Sequence, residues 1–159
     1  MRDKQKMVFL FFIMLTLLTG CSLFQASPEE VEQYKHAFID MVDKAAVEAE
    51  NGQKVLAEIR ERVDKEGEKK TKAQNTIING VSISKAIKDD FIRAQIPSEM
   101  EPIREKLVLS LTQRIEAYDQ LFKYYDFLDV KYRDAGDQLL EQSLQLFEEG
   151  VQELEQYRH

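Results

Sequence analysis

The chain has 159 residues, room for one domain of ordinary size, with 22 basic against 29 acidic residues and a formal net charge of −7. That acidic balance argues against a nucleic-acid binder, which needs clustered Lys and Arg to neutralise phosphates. The single Cys excludes an internal disulfide and a Cys-based zinc site, and no apolar run reaches the ~18–20 residues that span a bilayer.

The apolar residues crowd at the start of the chain. Arg2, Lys4 and Lys6 open it, opposed by Asp3 alone. An unbroken apolar run covers residues 7–15, Leu17 and Leu18 extend it, and Thr19, Gly20 and Cys21 follow. Basic, then apolar, then small is the order of a secretory signal peptide. A core helix would need a polar face, and residues 8–15 have none.

Leu18-Thr19-Gly20-Cys21 resembles the lipobox of bacterial lipoproteins. The resemblance implies cleavage between Gly20 and Cys21 and a diacylglycerol on the Cys21 thiol through a thioether. In some bacteria the new α-amino group is acylated as well. Two or more acyl chains hold a protein stably at a membrane, at ~0.8 kcal/mol per buried CH₂. The expected organisation is a signal peptide over residues 1–20, a lipidated N-terminus and linker over 21–27, and a helical domain over 28–159. Loss of residues 1–20 leaves 139 residues of net charge −9. An acidic body is repelled by anionic lipids, so the tether supplies the membrane attachment.

Ser27-Pro28-Glu29-Glu30 is a helix start, with Ser27 as cap, Pro28 in the first turn and Glu30 completing a capping box. Val31, Tyr34, Phe38, Met41, Ala45, Ala49, Leu56, Ile59 and Val63 lie on one helical face. The spacing predicts one helix over 28–66, through Asn51-Gly52, ended by Gly67. Residues 68–83 are ambiguous among helix, loop and a small hairpin at Asn79-Gly80. The expectation is a loop or frayed start, followed by a helix from about 80 to 95.

Ile96-Pro97 closes that segment, because a residue before Pro avoids the helical region. Ser98 and Glu101 match a second capping box. Ile103, Leu107, Leu111, Ile115, Tyr118, Phe122, Tyr125 and Leu128 form the next stripe. Residues 133–136 read as a turn, with Asp134 a candidate cap. The last helix carries Leu140, Leu144, Phe147, Val151, Leu154 and Tyr157, with Gly150 inside it for close helix approach. Four helices with short turns predict an all-α, antiparallel up-down-up-down bundle. From Pro97 onward the pattern resembles small helical lipoproteins of Gram-positive bacteria: a Pro break, a Tyr-bearing helix, a short Asp/Gly turn and a Leu-rich terminal helix. No catalytic motif comes with that resemblance.

Searching for chemistry finds little. His36 has Gln33 three residues before it and Glu32 four before, so the Glu-x-x-His motif of di-metal bundles fails. Glu29, Glu30 and Glu32, Asp89 and Asp90, and Glu148 and Glu149 lie off the apolar stripes, whereas a hydrolytic acid pair needs a buried member. No cofactor, metal or catalytic residue is expected. Two features stand out. Lys65, Lys69, Lys70 and Lys72 cluster at the first turn, a candidate contact for an acidic protein surface or an anionic wall polymer. The aromatic residues crowd over 118–132, where Tyr124 and Phe127 fall off the core stripe and are candidate partner contacts. The expected function is a non-enzymatic, lipid-anchored protein-interaction module at the extracytoplasmic face of the cell membrane, with an envelope protein as partner and no nucleic acid. The alternative is a module for an apolar or peptide ligand held between helices, lined by Phe38, Met41, Tyr118 and Phe122.

Overall fold

The computed structural model describes residues 26–158. Gly20 and Cys21, with the rest of the expected signal peptide and most of the expected linker, lie outside the described residues. Contacts divide the chain after Gln33 into two compact units. The described part of the first is the capped helix start: Glu30 N–H donates to Ser27 Oγ at 3.2 Å, and Ser27 N–H donates to a Glu30 carboxylate oxygen at 2.7 Å. This is the expected capping box, and it holds the Glu30 carboxyl below its usual range.

The second unit begins at Tyr34 and carries the bundle. Helix α1 is Pro28–Glu66, α2 is Lys70–Arg93, α3 is Glu101–Phe127 and α4 is Val130–Leu154. Single 3-10 turns at Ser98–Met100 and Glu155–Tyr157 complete the fold. The four helices form an antiparallel all-α bundle with no strand among the described residues. None of the described helices is long and apolar enough to cross a membrane. Helix α1 runs unbroken through Asn51-Gly52 and stops at Gly67, whose φ of 73° suits a residue without a side chain.

Three expectations are corrected. Helix α2 starts at Lys70, ten residues earlier than the sequence suggests, and no hairpin forms at 76–83. Asn79-Gly80 looks like a turn, but Gly80 lies within the helix opposite Tyr118, whose ring would stand 2.8 Å from a Cβ there. The Ser98/Glu101 box does not form: α3 has no side-chain cap, Ser98 Oγ reaches only Glu99, and Glu101 pairs with Arg104. Arg104 Nη1 also donates to the Ala94 carbonyl at 3.3 Å, so an arginine satisfies the end of α2. The turn between the last two helices falls at Leu128-Asp129 rather than at 133–136. Asp129 is the cap, accepting from Lys131 N–H at 3.1 Å.

Helices α3 and α4 pack closest. Gly136, Ser143 and Gly150 sit seven residues apart along α4 and are all buried against α3. A Cβ at Gly136 would stand 2.7 Å from Leu121 Cγ and 3.1 Å from the Ala117 carbonyl oxygen; one at Gly150 would stand 2.8 Å from Leu107 Cδ2. Between them, Ser110 Oγ donates to the Ser143 carbonyl at 2.7 Å. Helix α1 stands further out, and its Cα atoms approach the other helices within 8 Å only at isolated points. Large side chains bridge the distance near each end: Phe38, Ile39 and Val42 join Phe91, Met100, Leu107 and Phe147 in one apolar cluster. Leu56 and Ile59 join Ala73, Ile77, Tyr118, Leu121 and Tyr125 in another. Two bidentate pairs pin α1 beside these clusters, Arg60 on Asp137 at 2.6 and 3.0 Å and Arg158 on Asp43 at 2.6 and 2.9 Å.

The glycines therefore differ in kind. A Cβ at Gly52 would meet nothing within 4 Å. Gly52→Ala is expected to stabilise the fold by about 0.5–1 kcal/mol through helix propensity, and Gly136→Ala to cost about 1–3 kcal/mol through overpacking. Thermal melts of the two variants should move in opposite directions.

Candidate functional site

The bundle topology places the α1–α2 and α3–α4 turns at one end, opposite Tyr34. Gln74 Nε2 near the start of α2 donates to Asp126 near the end of α3 at 2.7 Å. Both groups of predicted contact residues come to this end. Lys65 is exposed and paired with Glu61 at 2.9 Å, and Lys72 with Glu68 at 2.8 Å. Lys69 and Lys70 are exposed and make no ion pair among the described residues. Residues 65–72 carry four lysines against Glu66 and Glu68, a net +2 in a chain of net −7.

Phe127 is 68% exposed, as expected for a residue off the core stripe. Tyr124 is half-buried, its ring 4.9 Å from Tyr125 and 5.9 Å from the Arg133 guanidinium, so it supports the end more than it presents a surface. Periodicity misses two contributors, Leu128 and Val130, and leaves a third, Tyr132, in the aromatic cluster without assigning it a contact. Leu128, read as the last core position of α3, is 65% exposed; Val130 is 48% exposed; and Tyr132 lies 5.9 Å from the Phe127 ring with Lys131 Nζ 4.8 Å above it. Leu128 also has a φ of 56°. The left-handed position after a helix ordinarily takes Gly or Asn, and a leucine there costs about 1–2 kcal/mol. Leu128 is thus strained and gains little burial in return.

The middle of the bundle is a second unusual place. The buried polar side chains Ser84, Ser110, Arg114 and Ser143 are gathered on α2, α3 and α4. Arg114 is 4% exposed; its Nε donates to Ser143 Oγ at 3.4 Å, and its guanidinium carbon stands 5.9 Å from the Phe147 ring centre. Nη2 is buried without a hydrogen-bond partner, and no carboxylate among the described residues pairs with it. Burial pushes the Arg114 guanidinium below the usual arginine value and pushes the Tyr118 phenol up.

Grooves flank the middle of α1. One, of about 240 Å³, runs past Gly52, Leu56 and Gly80 with Tyr118 in its wall. The other, of about 560 Å³, runs between α1 and α4 past Ala49, Leu144 and Phe147. Of the four residues expected to line a ligand site, Tyr118 does line a groove. Phe38 is instead fully buried edge-on to Phe91 at 5.8 Å, Met41 packs against the first cluster, and Phe122 against the second. Asp89, Asp90 and His36 are exposed. Among the described residues, no three His, Cys, Asp or Glu side chains converge as a metal site would require.

Tyr125 gives this end a pH signature. Burial, with Asp64 adding to it, pushes its phenol up to about 12. A raised acid favours the fold while the phenol keeps its proton. Its contribution is complete below the unfolded value near 10 and is lost as pH rises toward 12. The melting temperature should fall over that window, and Tyr125→Phe should flatten that part of the fall. No family model, curated protein or solved structure matches the chain.

Proposed function

We propose that the mature protein is a non-enzymatic, lipid-anchored module of the extracytoplasmic membrane face that binds an acidic envelope protein through the end of its bundle formed by the two turns. The observation that carries this reading is the meeting of exposed Phe127, Leu128 and Val130 with the lysines of residues 65–72 at one end. Apolar anchors within a charged surround suit protein recognition: burial supplies affinity, and charge selects and steers the partner. The strained, exposed Leu128 supports a role other than stability, since the fold alone would favour Gly at that position.

The lipobox resemblance supports the anchor, with Cys21 as the modified residue and cleavage after Gly20. The capped helix start at Ser27 leaves only a short linker between Cys21 and the first helix. The acidic body has no charge-based affinity for anionic lipid, which leaves attachment to the acyl chains.

Labelled palmitate should enter the wild-type protein and be absent from Cys21→Ala, which should leave the membrane fraction. Crosslinking and co-purification from native membranes should recover one acidic protein. Leu128→Gly should raise the melting temperature, by about 1 kcal/mol of stability, while lowering recovery of that partner at least tenfold. Lys69→Glu with Lys70→Glu should weaken recovery without changing the melt by more than about 0.5 kcal/mol. Undiminished recovery with both sets of variants would refute the proposed contact surface.

A further inference from the structure

We infer that the space beside the middle of α1 is a binding site for a small aliphatic carboxylate, with Arg114 receiving its anionic end. The site is separate from the partner-binding end and stands or falls independently of it.

The inference starts from an imbalance. A guanidinium has five N–H donors and cannot give up its charge. Arg114 is buried on α3, makes one long hydrogen bond to Ser143 Oγ, and holds Nη2 buried without an acceptor. The other arginines around the bundle are treated differently: Arg60, Arg104 and Arg158 each have a carboxylate. Even a buried ion pair is often replaced at no loss, or with a gain, by apolar side chains of similar volume. Within the described residues the charge meets only the long hydrogen bond to Ser143 Oγ and the face of Phe147, with no carboxylate to offset its burial.

Beside it there is room. Through its middle α1 carries Ala46, Ala49 and Gly52 where its ends carry Phe38, Leu56 and Ile59. The groove this leaves against α4 measures about 560 Å³, within the about 300–1,000 Å³ usual for small-molecule sites. Its floor includes Leu144, Phe147 and Val151. Phe147 both floors the groove and lies against the guanidinium. Phe147, 4% exposed, separates the groove from the unpaired cation, and the proposed site requires that one side chain to rotate so that a ligand in the groove reaches Arg114. A ligand aliphatic along its length and anionic at one end satisfies both.

A carboxylate suits the site better than a phosphate. One guanidinium matches a single negative charge, and of the nearby serines Ser110 already donates to the Ser143 carbonyl. A phosphate, near two negative charges, calls for more than one cation. Of the glutamates at the rim, Glu50 is paired with Lys54 at 2.6 Å and Glu155 with Arg158 at 2.8 Å, which leaves Glu148 as the one acid at the mouth without such a pair.

Thermal melts of the purified full chain with octanoate, octanol and octyltrimethylammonium test the site. Near saturation octanoate should raise the wild-type melting temperature by about 3–8 °C, while the neutral and cationic analogues give less than a third of that shift. Arg114→Met should melt at or above the wild type without ligand and lose the octanoate shift. Ala49→Phe, which fills the groove from α1 and leaves the guanidinium in place, should lose it too. An equal shift in wild type and either variant would overturn the inference, as would no wild-type shift with any carboxylate from octanoate to dodecanoate. Should Arg114→Met fail to fold, the Ala49→Phe comparison decides alone.

Discussion

The close contact between α3 and α4 governs the rest of this bundle. Gly136, Ser143 and Gly150 remove bulk from one face of α4 at intervals of seven residues, so the backbones meet through Leu107, Ser110, Ala117 and Leu121. Where side chains are small, dispersion acts between backbones and little apolar area is left for a third element. The larger core residues therefore collect above and below, and α1 closes over them at a greater distance. Tight packing of one pair sets the looseness of the other.

That division explains why polar groups sit in the middle. The two apolar clusters fill the ends of the bundle, where α1 contributes Phe38 and Val42 or Leu56 and Ile59. Between them the half-buried positions of α1 include Ala46, Ala49 and Gly52, and the facing helices supply serines and an arginine. Ser110 and Ser143 satisfy one another at the α3–α4 contact, a sound arrangement for buried hydroxyls. Arg114 has no such answer within the chain.

Much of the fold was legible in the sequence. The bounds of α1 follow from a capping box and a terminal glycine, both with local causes. Gly150 was correctly read as a place of close approach, because a glycine inside a strong apolar pattern has few other reasons to be there. Gly80 and Gly136 escape the same logic, because their neighbours, Asn79 and the Arg133-Asp134 pair, look like turn chemistry. Both glycines face side chains on α3, and nothing local distinguishes such a glycine from one in a turn. On α3 the core reading rests on large apolar residues alone, so buried Ser110, Arg114 and Ala117 are missed, while Leu128 is assigned to a core it does not enter. The lysine cluster and Phe127 were identified singly. Their common location depends on topology, which no single segment contains.

The clamp between Arg158 and Asp43 joins residues 115 positions apart, whereas the α3–α4 pair is joined by a two-residue turn. Loop closure and chain topology both favour the near contact in time. The hairpin of α3 and α4 can assemble as soon as its own residues are free to pack, while α1 has to wait for a distant arginine before both its ends are held. Of the four helices, α1 is therefore the one whose docking carries the largest loop-closure cost, and the contact most easily lost is the one that closes the longest loop.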